Sequence, residues 1–127
     1  MNRTVVVTGS VFILFGIILG ALGAHALKKV LEEAQLLSFE TGVRYMIYQG
    51  LALLTLGLSA DRISGLKWPS RLMISGTLLF SVSIFFLAIQ GLLGMNLKFL
   101  GPVTPIGGII MITGWALLIK NLLLENK

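Results

Sequence analysis

Thr4 to Leu27 reads TVVVTGSVFILFGIILGALGAHAL, 24 residues without one Asp, Glu, Lys or Arg. A helix rises about 1.5 Å per residue, and about 20 apolar residues carry it across the hydrocarbon core of a bilayer. This stretch is therefore expected to be a transmembrane helix. Working outward, three more apolar stretches, at about 42–60, 72–92 and 104–124, meet the same requirement. Between the first two, residues 28–40 set Val30, Leu31, Ala34 and Leu37 among Lys28, Lys29, Glu32 and Glu33, the spacing of an amphipathic helix lying in the interface. The predicted fold is all-α: a polytopic membrane protein of four transmembrane helices in a bundle, with one interfacial amphipathic helix between spans 1 and 2. A single transmembrane domain covers residues 1–127.

Composition supports the spans. The chain is 56% hydrophobic and 12% charged, about half the charge of an average soluble domain. Exposed apolar patches of that extent would aggregate in water. The net charge of +5 comes from basic residues at span ends and in short loops, which anchor a protein at a membrane surface and do not form a nucleic-acid groove. There is no cysteine, which excludes disulfides, thiol nucleophiles and sulfur-ligated metals. Ala24-His25-Ala26 has the form of a signal-peptidase site, but the apolar run before it exceeds the roughly 7–15 residues of a signal peptide, so it is read as a retained span.

Four crossings place both termini on one side. With that side cytoplasmic, Arg3, Arg62, Lys67, Arg71, Lys120 and Lys127 lie inside and Lys28, Lys29, Arg44 and Lys98 outside, the bias that the positive-inside rule requires. The second connection carries Trp68 as an interfacial anchor, and the third ends where Thr104 is expected to cap the last helix with Pro105 at its first position. Small residues mark faces where helices can approach closely in lipid: Gly16, Gly20 and Ala24 in the first span, and Gly107, Gly108, Met111 and Gly114 in the fourth.

The polar residues that bear on chemistry are few. His25 is the only histidine, at the outer end of span 1, and one imidazole is too few ligands for a zinc site. Glu40, Thr41, Arg44, Tyr45, Tyr48 and Gln49 cluster at the start of span 2; the four-residue spacing allows Glu40 to pair with Arg44, Tyr45 with Gln49, and Arg44 to stack on Tyr48. With His25 they would form a polar pocket near the outer interface. No charged residue falls at the centre of a span, which argues against ion-coupled transport. No Ser-His-Asp arrangement and no phosphate-binding glycine motif is present.

The blocks Gly20-Ala21-Leu22-Gly23-Ala24-His25-Ala26-Leu27, Thr41-Gly42-Val43-Arg44-Tyr45, Tyr48-Gln49-Gly50-Leu51-Ala52-Leu53-Leu54, Phe80-Ser81-Val82-Ser83, Gly101-Pro102-Val103-Thr104-Pro105-Ile106-Gly107-Gly108 and Gly114-Trp115 carry a resemblance in this order over nearly the whole chain. It resembles the small bacterial membrane proteins called domain of unknown function 423, and is similar to the eukaryotic transmembrane protein 256. The resemblance implies four transmembrane helices in the bacterial plasma (inner) membrane and no established activity. The family pattern has a His followed by Ala in span 2 where this chain has Gln49-Gly50, so any His pair between that position and His25 would lack its second member here.

The functional expectation is a non-enzymatic membrane protein without catalytic, cofactor or metal sites. It would act through helix packing, as a structural or accessory subunit of a larger membrane complex or as a small homo-oligomer, with membrane lipids as its surroundings and no nucleic-acid partner. The alternative is a small pore, transport or lipid- or ligand-binding protein using His25, Glu40, Arg44, Tyr45, Tyr48 and Gln49; a lipid-active enzyme is a third class, without a visible nucleophile and base.

Overall fold

Asn2 opens the first helix by accepting the Val5 N–H on its side chain (3.2 Å), and from there the computed structural model is helical through nearly all of residues 1–125, which it describes. The helices are α1 (Arg3–Ala24), α2 (Glu33–Leu58), α3 (Lys67–Thr77), α4 (Ser83–Leu93) and α5 (Val103–Leu124). A π-helical turn, Leu78–Val82, joins α3 to α4, so Lys67–Leu93 is one rod and the described residues make four rods. Three of them, Arg3–Lys29, Lys67–Leu93 and Lys98–Leu124, are long and apolar enough to cross a membrane. The helix α2 matches them in length, with 26 residues, but its first half carries Glu33, Gln35, Glu40 and Arg44. Lys127 lies outside the described residues.

The expected interfacial helix over 28–40 does not exist as a separate element. Leu27–Lys29 is a single tight turn, Val30 to Glu32 breaks the helical path, and residue 33 onward is already α2. The reason is local: Gln35 reaches back to accept the Glu32 N–H (3.1 Å), which fixes a helix start there and lets the helix run on without a break. The cap expected of Thr104 is also displaced. Pro102 is the N-cap of α5, while the Thr104 hydroxyl pairs with that of Ser83 (2.6 Å).

The rods pack in two antiparallel pairs, α1 on α2 and α3 on α5, and the π turn and α4 bring α2 against the second pair. Glycines set both seams. On α1 the buried ones are Gly9, Gly16 and Gly23, seven residues apart, and on α2 Gly50 and Gly57 face back with the same spacing. A seven-residue repeat keeps one face towards a partner in left-handed packing, whereas a four-residue repeat belongs to the right-handed kind. The expected face of Gly16, Gly20 and Ala24 is corrected accordingly: Gly16 meets Ile47 and Gly20 meets Val43, but Ala24 is exposed and Gly23 takes its place against Phe39. On α5, Gly107, Met111 and Gly114 are buried on α3 and the π turn, and Gly108 stands beside the Phe80 ring.

One end of the molecule gathers the N-terminus, residues 59–66 and the end of α5. The N-terminal amine pairs with Asp61 (2.8 Å), Asn121 donates to the Gly65 carbonyl (2.8 Å), and Glu125 accepts the Ser64 N–H (2.8 Å). Trp68 is exposed at this end, with Arg71 and Lys67 over its ring at 5.2 and 5.8 Å. At the other end Gly94, in the left-handed conformation (φ 65°), closes α4, and Gln90 accepts the Leu97 N–H (2.8 Å).

A Cβ at residue 107 would collide with the backbone of Gly76 and Phe80, whereas one at residue 91 meets nothing within 4 Å. Gly107→Leu is expected to destabilise the protein by about 3 kcal/mol. Gly91→Ala is expected to leave stability unchanged or slightly raised. Thermal unfolding in detergent, followed by circular dichroism, checks the pair.

Candidate functional site

The π turn decides where a site can form. A π-helical turn winds one extra residue into a helix, and at 3.6 residues per turn that rotates everything downstream by about 100°. Before it, Met73 and Gly76 face α5; after it, Phe85 lies on Gly42 of α2 and its ring is 5.0 Å from that of Phe39. The Ser81 hydroxyl in the turn donates across to the Gly42 carbonyl (2.8 Å). The third rod therefore holds α2 and α5 apart over part of their length, and a groove of about 550 Å³ lies between them.

Phe80 of the π turn, Tyr45 and Gln49 of α2, and Gly108, Ile112 and Trp115 of α5 line this groove. Its walls are aromatic, with the Tyr45 and Phe80 rings edge to face at 5.2 Å. Gln49 is only 8% exposed, and its Oε1 accepts the Trp115 Nε1–H (3.1 Å). An indole N–H can only donate, so the atom facing it must be the amide oxygen, and the amide nitrogen is the one left over. That Nε2 donates to no protein acceptor among the described residues, yet it is not sealed off from the groove.

Other buried polar side chains contrast with it. Ser70, Thr77, Ser81 and Ser83 donate to the carbonyls of Lys67, Met73, Gly42 and Phe80 at 2.6–3.0 Å. No charged side chain is buried among the described residues.

The polar residues singled out in the sequence do not converge on one pocket. His25 is exposed as the C-cap of α1. Glu40 lines a separate shallow cleft with Lys28 and Glu33, and it makes no ion pair with Arg44, whose Nη2 donates to the Thr41 hydroxyl (3.2 Å). Tyr48 stacks edge-on with Tyr45 (5.7 Å) and does not carry the Arg44 guanidinium. Tyr45 and Gln49 share the groove, but the Gln49 oxygen goes to α5. Four-residue spacing shows which side chains share a helix face and is silent about Trp115, 66 positions away. A glutamine inside an apolar stretch is itself the available signal, since such a group must find a partner on another helix.

Comparison with known proteins settles the family. The family model described as protein of unknown function (DUF423) matches residues 19–108. The chain belongs to the DUF423 family. Within it, a UPF0382 membrane protein of Staphylococcus epidermidis is 32% identical over 118 residues, 92% of this chain and 93% of that protein. The UPF0382 membrane protein YwdK of Bacillus subtilis is 31% identical over 92% of this chain and 94% of its own length. The UPF0382 inner membrane protein YgdD of Escherichia coli is 35% identical over 80% of this chain and 75% of its own length. No solved structure matches the chain. This DUF423 protein is thus an integral membrane protein with transmembrane helices, and its family carries no assigned activity.

Removing either partner of the Gln49–Trp115 bond leaves the other unsatisfied in an apolar setting. Gln49→Met and Trp115→Phe are each expected to cost about 1–2 kcal/mol, and the double variant less than their sum. A double-mutant cycle on detergent-solubilised protein measures that coupling.

Proposed function

We propose that this DUF423 member is a four-crossing protein of the bacterial plasma membrane, with both termini cytoplasmic, that catalyses no reaction and binds a lipophilic molecule in the α2–α5 groove. Packing supports the fourth crossing. The seam between α1 and α2 runs from Val5 against Gly57 to Gly23 against Phe39, so α2 shares the depth of a helix that is itself apolar throughout. Basic residues support the orientation: Arg3, Arg62, Lys67, Arg71 and Lys120 belong to the end with the N-terminus, and Lys28, Lys29 and Lys98 to the other, with Arg44 in the half of α2 nearer to it.

The observation that carries the function is the Gln49 amide. The four buried hydroxyls are satisfied inside the protein, and the glycine faces are occupied by neighbouring helices of the same chain. Those faces no longer argue for a homo-oligomer. Several grooves are open on the surface, and the one between α2 and α5 has the buried Gln49 amide in its lining. An accessory subunit of a larger membrane complex is the second reading, favoured by how little of the chain, 30–32, 59–66 and 94–97, lies between the rods.

The absence of cysteine makes both statements testable. On intact cells an impermeant maleimide is expected to label Lys29→Cys and Asn96→Cys, and Ser64→Cys only after permeabilisation; equal labelling of Lys29→Cys and Ser64→Cys would mean that α2 does not cross. Native mass spectrometry of protein extracted in mild detergent is expected to retain a bound lipophile that Gly108→Leu removes. A stoichiometric protein partner with no bound lipophile would favour the accessory subunit.

A further inference from the structure

Resting on the groove as a binding site, we infer that its ligand is a lipophile that presents a carbonyl oxygen to Gln49 Nε2 near mid-membrane, the chemistry of an isoprenoid quinone. Gln49 is nine residues from the end of α2 at Leu58, and Trp115 holds its amide oxygen. At about 1.5 Å per residue Gln49 lies about 14 Å in from the Leu58 end, close to half the thickness of a hydrocarbon core of about 30 Å. An amide N–H facing hydrocarbon at that depth has no water to donate to, and an acceptor supplied by the ligand recovers the lost bond. Glycerolipid ester carbonyls sit at the edges of the hydrocarbon and do not reach this level. A quinone head group does, because it is uncharged and dissolves among the chains.

The walls agree with that ring. Phe80, Tyr45 and Trp115 offer aromatic surfaces around the Gln49 amide, and a volume of about 550 Å³ accepts a substituted ring with the start of its tail. The outer side is open, with Ile112 69% exposed, so a tail leaves directly into lipid.

The two tryptophans provide the assay, because Trp115 lines the groove and Trp68 lies at the cytoplasmic end. In nanodiscs, a decyl-substituted benzoquinone is expected to quench the Trp68→Phe protein saturably and the Trp115→Phe protein only in proportion to its concentration in the bilayer. Adding Gln49→Met to Trp68→Phe is expected to weaken binding about tenfold. Adding Gly108→Leu instead, which fills the groove and leaves the Gln49–Trp115 bond, is expected to abolish saturation, and it serves as the test should Gln49→Met fail to fold. Decylbenzene, which lacks the carbonyls, is expected not to compete. If decylbenzene competes as well as the quinone, or Gln49→Met binds the quinone as tightly, the groove holds lipophiles without reading a carbonyl and this inference falls alone. If nothing saturates, both it and the groove reading fall. Crosslinking of Ile112→Cys into a dimer that the quinone does not diminish would show that a second copy covers the groove, and also overturns it.

Discussion

Close contact between helix backbones holds this protein together. In lipid there is no hydrophobic force to press one helix on another, so association depends on packing and on how near two backbones can come. At Gly9 and Gly50, and again at Gly76 and Gly107, no side chain stands between the helices. Glycine in a helix costs about 1 kcal/mol against alanine in water. Within a bilayer the backbone has no alternative hydrogen-bond partner, so the helix survives its glycines and gains contact from them.

The two seams would by themselves make two independent pairs. The π turn joins them: its extra residue turns the third rod from α5 towards α2, and Ser81 fastens that turn to the Gly42 carbonyl. The same change of direction leaves α2 and α5 short of full contact, bridged by Gln49 and Trp115. The groove is thus a by-product of how the third rod serves two neighbours. The polar groups in its lining are the Gln49 amide, the Trp115 indole N–H and the Tyr45 phenol, while the buried hydroxyls of Ser70, Thr77, Ser81 and Ser83 are committed to backbone carbonyls.

Length and hydropathy made the rods legible, because a bilayer imposes a simple minimum on any helix that crosses it. Three stretches are apolar enough to be recognised from hydropathy, and α2 is recognised only by its second half, since Glu33, Gln35, Glu40 and Arg44 dilute the first. The start of α2 was misplaced because the alternation of charged and apolar residues over 28–40 suits a helix in the interface as well as the beginning of a longer one. The glycine faces were legible as to residue type but not register: Gly16, Gly20 and Ala24 satisfy a four-residue pattern, while the buried series is Gly9, Gly16 and Gly23. The π turn left no mark in composition or periodicity, and without it neither the Ser81 bond nor the groove follows. Tyr45 and Gln49 were visible as polar residues in an apolar span; their partners on α5 and the third rod depend on tertiary geometry.

The tightest seams join rods that are consecutive in the chain, α1 with α2 and α3 with α5. Each pair is therefore a helical hairpin whose own contacts are complete once its second member has been synthesised, before the rest of the chain emerges. Between the two hairpins Phe39 meets Phe85, Trp115 donates to Gln49 and Ser81 donates to the Gly42 carbonyl. These hydrogen bonds are directional, so they admit one register of hairpin on hairpin where apolar packing alone would tolerate sliding.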